Sequence, residues 1–343
     1  MPVSDLSALP LAAPSPATES PAPALPGCDV LGLLAGPFLT HGSPTACAAL
    51  SGLFGGLQPA ATPDETLPEF GLAPLERRRL DTNTALAMRP DSVRSELLFF
   101  HDGRFHRYDT AGGKTVPFGP NMGASQGCFG GADGRVWFSH PRKAEALRYG
   151  PDGELEQRLP LRNERGEAMQ PFWGACCLRD GREEHYYIAS ADRERLLLHV
   201  DPETGESETM RPGLVSQPTR IACVGRRMLV LDSRNALLVL DATRSFREPR
   251  VERVIPVPTD TAHVITAPHG IYLCGISWIS RMDADLRSRG SVRLDSLPGL
   301  ERGLRWPSMV ITENNGPELW VLDWCTRDLI RLSLRLPGQS IQE

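Results

Sequence analysis

Between residues 97 and 323 a short apolar run recurs six times, and no copy is long enough to bury its own side chains. The regular copies are Gly134–His140, His185–Asp192, Arg227–Asp232 and Glu318–Asp323, with looser ones at Leu97–Asp102 and Gly270–Cys274. Their starts lie 37 to 51 residues apart. A second apolar strand follows each copy, as in Leu196–Val200, Ala236–Leu240 and Leu329–Leu332, and turns such as Asp201–Gly205 and Pro151–Gly153 release a third. Before each copy lies a strand of small or apolar residues: Thr84–Met88, Gly127–Gly130, Trp173–Leu178, Thr219–Val224, His263–Thr266 and Met309–Thr312.

Four short strands per repeat, rich in β-branched and aromatic residues, give the pattern of a propeller blade. One blade leaves both faces of its sheet wet; a ring of blades covers them and leaves only short edges. The expected fold class is all-β: a six-bladed β-propeller over residues 76–343, with a sandwich or an open solenoid as alternatives. The 32 Gly and 31 Pro fit a turn-rich chain rather than one of long helices. Closing the ring needs one more strand for the last blade, from either Leu334–Leu336 or Leu75–Leu80.

The runs Gln170–Gly181 and Gln217–Gly225, each continuing through an apolar strand to Asp and Gly turns, resemble NHL-type blades. The resemblance extends in degenerate form over roughly residues 80–337. It implies a superfamily of six-bladed folds that includes adaptor domains, gluconolactonase-like hydrolases, strictosidine-synthase-like enzymes and streptogramin-lyase-like enzymes. Such a fold hosts many activities, so function has to be argued from the site.

Residues 1–75 differ in kind. They carry six acids (Asp5, Glu19, Asp29, Asp64, Glu65, Glu69) and no Lys or Arg, and Met1–Pro26 is almost entirely Ala, Pro, Ser and Leu. That composition predicts a disordered tail. Ser43 as cap and Pro44 at the first helical position predict one short helix over residues 43–57, carrying Cys47, Leu50, Phe54 and Leu57. Such a helix docks either on the propeller or on another protein.

A net charge of −5 gives no basic field for nucleic acid, and no run reaches the length of a membrane span. Without a basic start there is no classical secretory signal, so the expected location is the cytoplasm, or outside the cell by a non-classical route. The eight cysteines show no paired spacing, which favours reduced thiols. Only Lys114 and Lys143 accompany 35 arginines, a bias that either codon usage or selection against ubiquitin attachment would produce.

Ligands of propellers gather at the end of the central channel. Gln126, Gln170 and Gln217 share one position just before the innermost strand, with Thr261 and Trp306 at similar places in later repeats. With Trp173 and Arg220 they form the expected ligand-binding set, offering amide donors and acceptors, an aromatic face and a fixed cation. The alternative for the glutamines is bonding to neighbouring backbone. His263 and His269 are the catalytic candidates. Pro268-His269-Gly270 resembles the Pro-His-Gly of lyase-like propellers, yet it runs straight into Ile271–Cys274 without an acidic partner in the expected place. Asp102, Asp192, Asp232 and Asp323 end the second strand of their repeats, where turn-capping is expected. Cys176 and Cys223 follow matching glutamines by six residues and are expected to be neighbours.

No metal-ligand spacing occurs, and no cofactor is implied. Glu313-Asn314-Asn315 offers the residue types that gluconolactonase-like metal sites use, but within one turn. Two readings follow. One is an interaction module that binds a protein or a ligand, in the manner of a secreted bacterial effector. The other is a small-molecule hydrolase, lyase or cyclase with its pocket at the channel mouth.

Overall fold

In the computed structural model, residues 70–336 are described except 80–87, 91–95, 102–103, 111, 122–126, 131–134, 141–142, 163–164, 170, 181–182, 191–196, 204–205, 211–214, 216–217, 305–306, 314–315 and 324–325. The tail and its expected helix over 43–57 lie outside them.

The described residues form six antiparallel sheets of four strands. Strand β1 (Gly71–Arg79) comes first in the chain but belongs to the last sheet. The first blade is β2 (Met88–Pro90), β3 (Glu96–His101), β4 (Arg104–Asp109) and β5 (Thr115–Phe118). The second is β6 (Gly127–Gly130), β7 (Val136–His140), β8 (Glu145–Tyr149) and β9 (Leu155–Pro160). The third is β10 (Pro171–Asp180), β11 (Glu183–Ser190), β12 (Leu197–Val200) and β13 (Ser207–Met210). The fourth is β14 (Pro218–Val224), β15 (Arg227–Asp232), β16 (Ala236–Asp241) and β17 (Arg250–Pro256). The fifth is β18 (His263–Ala267), β19 (Gly270–Cys274), β20 (Trp278–Met282) and β21 (Ser288–Arg293). The sixth is β22 (Pro307–Thr312), β23 (Glu318–Asp323) and β24 (Asp328–Arg335), completed by β1.

The apolar runs are continuous because both faces of each sheet are covered. In β15, Leu229 and Leu231 pack toward the fifth blade, while Met228 and Val230 pack toward the third. In β16, Leu237 and Val239 take the first direction, Leu238 and Leu240 the second. A strand's period of two sends neighbours to opposite faces, and here both faces are core. Truncating one such leucine to Ala costs about 2–5 kcal/mol. Six apolar clusters result, one between each pair of neighbouring blades, and the ring closes where Leu97 and Tyr108 meet Val310, Trp320 and Leu322. The inner strands β2, β6, β10, β14, β18 and β22 each touch the next, and β22 touches β2. They line the axis.

Strand β1 completes the sixth blade by pairing antiparallel with β24, from Gly71↔Arg335 to Arg79↔Asp328, with a shift of register between Pro74 and Glu76. Of the two expected closures, the segment around Leu75 is therefore the one used, and Leu334 sits inside β24. Phe70 and Leu72 enter the cluster between the fifth and sixth blades, where Phe70 meets the Tyr272 ring edge-on at 6.1 Å. Arg77 pairs with Asp328. β1 thus takes in residues on both sides of the boundary drawn at 75/76. No helix among the described residues is long and apolar enough to cross a membrane.

A chain beginning at Phe70 is expected to melt within a few degrees of the full-length protein. One beginning at Asp81 loses β1 and should melt at least about 10 °C lower, given about 2–4 °C per kcal/mol for domains of this size. Circular-dichroism melts of the two truncations check this; equal melting temperatures would refute closure by β1.

Candidate channel site

Each inner strand enters its blade at one end of the ring, here called the leading end, and turns into the second strand at the other, the trailing end. Pairing fixes these ends. Pro218 faces Asp232, His263 faces Cys274 and Pro307 faces Asp323, so all three stand at the leading end. Gln126, Gln170, Gln217 and Trp306 lie outside the described residues; the residues after them, Gly127, Pro171, Pro218 and Pro307, begin inner strands. Trp173 lies in β10 where the register shifts between Pro171 and Ala175.

Of the expected site residues, Arg220 lies in β14 and His263 begins β18. β14 and β18 are adjacent in the inner ring. Alternation along β14 sends Ala222 toward the fifth blade and Ile221 toward the third, which puts Arg220 on the fifth-blade side; along β18 it sends Val264 toward the fourth blade and Ile265 toward the sixth, which puts His263 on the sixth-blade side. Arg220 Nη1 donates to the Thr219 carbonyl at 3.0 Å, and the Thr219 hydroxyl donates to the Leu231 carbonyl at 3.0 Å.

Both side chains lie deep among protein atoms, yet both keep accessible surface, as do Thr219, Ile265 and Thr266 on the same inner strands. Deep but reachable is the condition of a channel lining rather than of a core. Burial lowers the Arg220 pKa to about 10, which leaves it charged at neutral pH. Burial, then the Arg220 charge, hold His263 well below the usual histidine range, against a smaller opposing pull from the Pro307 carbonyl. His263 is therefore a neutral imidazole.

His269 lies elsewhere. It sits in the β18–β19 turn, at the trailing end, separated from His263 by the whole of β18, roughly 13 Å at about 3.3 Å per residue. The two histidines cannot serve one reaction centre. Gly270 has φ +149°, and a Cβ there would meet the Met282 carbonyl at 2.6 Å, which explains the Gly of the Pro-His-Gly run as close packing. His269 does have an acidic partner, contrary to the sequence expectation: Nε2 lies 2.8 Å from Glu313 Oε1, off the line of an aligned hydrogen bond. Its Nδ1 is 2.6 Å from the Tyr272 hydroxyl, and Arg281 clamps its carbonyl at 2.9 and 3.2 Å. Burial outweighs Glu313 and keeps the His269 pKa low, while burial raises Tyr272 to about 12. Sequence reading noted Glu313 only as a metal-type residue and missed its pairing with His269, because it comes from the next blade; it follows β22 directly, in the turn that corresponds to the one holding His269.

Among the described residues, no three His, Cys, Asp or Glu side chains converge. Glu313 is engaged with His269 at the trailing end. Asp232 and Asp323 cap turns, accepting from the Arg234 and Thr326 amides at 2.9 and 3.2 Å. Cys176 and Cys223 are neighbours between the third and fourth blades, and burial together with Cys223 pushes the Cys176 thiol well up, so it is a packing group.

His199 is also held neutral: burial, with His185 Nδ1 3.1 Å from its Nε2, lowers its pKa to about 4. Lowered folded-state values mean that the unfolded chain binds protons first, near about pH 6.5, so stability falls as pH drops below that value. His199→Gln and His263→Gln should each reduce, by a few degrees, the loss in melting temperature between about pH 7 and pH 5. Melts of parent and variants at the two pH values check this; unchanged differences would show that the folded state accepts these protons.

No family model and no curated protein matches the chain. Solved structures do. A streptogramin B lyase structure aligns over 79% of this chain and 88% of its own at 14% identity, with a TM-score of 0.52. A gluconolactonase from Xanthomonas campestris aligns over 81% and 99% at 12% identity, with a TM-score of 0.55. A catalytically inactive virginiamycin B lyase from Staphylococcus aureus, solved with quinupristin, aligns over 78% and 89% at 14% identity, with a TM-score of 0.51. Likeness at this level of identity speaks for architecture, and it agrees with the six sheets: the chain has the six-bladed β-propeller fold of gluconolactonase and streptogramin-lyase structures.

Proposed function

We propose that this protein is a small-molecule-binding propeller whose site is the leading end of the central channel, and that its ligand is anionic. The observation that carries the reading is Arg220, a charged guanidinium on an inner strand, deep in the ring yet reachable from solvent. A cation held there by packing is preorganised for an oxyanion, because little reorganisation accompanies binding. Trp173, Gln170, Gln217 and Trp306 belong to the same proposal through their places next to or within the inner strands. The gluconolactonase and lyase names among the structural neighbours make turnover a question that the test must answer.

The test is capture. The folded parent and Arg220→Ala are incubated with a small-molecule extract, washed, and their bound compounds identified by mass spectrometry. The proposal expects an anion enriched at least about tenfold on the parent and lost from the variant, with both melting alike. A neutral or cationic compound, or equal capture by both proteins, would contradict it. Recovery of the anion unchanged after prolonged incubation marks a binder, and its conversion marks an enzyme.

A further inference from the structure

We propose that the connection between β16 and β17, residues 242–249, is an acid-released strap. It is held across the joint of the third and fourth blades by a pair of histidines that carries two protons only when the strap lifts.

Alternation places the pair. Tyr187 faces the fourth blade, His185 stands two residues before it on β11, and His199 of β12 lies directly opposite Tyr187, so all three share one face. His185 Nδ1 is 3.1 Å from His199 Nε2, and His199 is buried. Onto this pair the strap lays Phe246, whose ring stacks on His185 at 3.9 Å with 3° between the planes. Two further contacts tie the strap to the third blade. The Tyr187 hydroxyl donates to the Phe246 carbonyl at 2.7 Å, and Arg247 Nη1 donates to Glu208 Oε1 at 3.0 Å. From the β14–β15 turn, Arg226 lies over the Phe246 ring at 5.6 Å and donates to the Thr243 carbonyl at 3.3 Å.

The bond between the two rings limits how many protons fit. An N–H···N bond needs one bare nitrogen, so the pair keeps it while neutral or singly charged. A second proton sets two N–H groups face to face and two like charges side by side beneath Phe246. The charged neighbours among the described residues do not cancel that repulsion. Glu208, opposite His199 on β13, is already bonded to Arg247, and Asp201 is countered by Arg247 itself. Burial first, then His185 and Arg247, hold His199 at about 4 against the pull of Asp201. Once released, its value returns toward about 6.5. A held value below the released one means that the strap is fully stable above about pH 6.5 and loosens as the pH falls toward about 4.

The test is cleavage by papain, which remains active in weak acid and prefers an aromatic side chain just before the residue it cuts after. Phe246-Arg247 meets that preference once Phe246 leaves His185. The full-length protein is digested at about pH 7 and about pH 5, and the cut after Arg247 is followed by mass spectrometry. Its rate is taken relative to that of a free peptide of residues 241–250, which removes the protease's own pH dependence. The relative rate should rise at least about tenfold at the lower pH, where a released His199 is mostly charged and a held one mostly neutral. His199→Gln should lose the rise, since it keeps a hydrogen-bonding side chain that takes no proton. If that variant does not fold, His185→Gln is the check: its amide oxygen accepts from a charged His199, so the rise disappears there too. An undiminished rise in the folded variant, or no rise in the parent, would overturn the proposal. Cuts in the other blades rising in step would overturn it as well, because they mark unfolding of the ring rather than lifting of the strap.

Discussion

A small sheet with two apolar faces is unstable in water unless something covers both, and everything else in this protein depends on how that is met. Each blade is covered by its neighbours on either side, so no blade is an end. The requirement is collective: opening the ring anywhere exposes two faces at once, roughly the cost of several buried side chains at about 1.5–3 kcal/mol each. Pairing of β1 with β24 is where the first and last parts of the repeat array are held in a single sheet. Packing of Phe70 on Tyr272 extends that link into the fifth blade.

The same closure creates the site. Six inner strands that touch in a circle leave an axis lined by backbone and by whichever side chains alternate inward. Polar groups there are expensive, and burial is already felt by Arg220 and His263, whose pKa values are both displaced. Residues with purely structural tasks are accounted for by nearby partners: Asp232 and Asp323 by turn amides, Glu318 by Arg331, and Trp320 by the Thr312 hydroxyl at 3.1 Å. Arg220 and His263 come from different blades, on the adjacent inner strands β14 and β18.

Local signals were legible in the sequence, and contacts between repeats were legible only where the repeat itself carried them. Four of the six second-strand runs were read almost to the residue, because period and turn chemistry are properties of the segment. Cys176 beside Cys223 could be foreseen, since the same repeat position in adjacent blades must be adjacent in space. Ring closure was reduced to two options but not to one: Leu75–Leu80 and Leu334–Leu336 both carry arginines between leucines, and only three-dimensional closure distinguishes them. His269 with Glu313 was missed because it joins corresponding turns of successive blades across 44 residues, and nothing in either turn announces the other. The opposite placement of His263 and His269 was readable in principle, since one starts an inner strand and the other follows its end.

The central claim is that an N-terminal strand shuts a six-bladed ring and so defines the channel. Native-state hydrogen exchange tests it most directly. If β1 is integral, its amides at Leu72 and Ala73 exchange as slowly as those of β24, with the same dependence on denaturant, since both are released only when the ring opens. Fast exchange of β1 against protected β22, β23 and β24 would contradict the account and make β1 an appendage to a ring that closes without it.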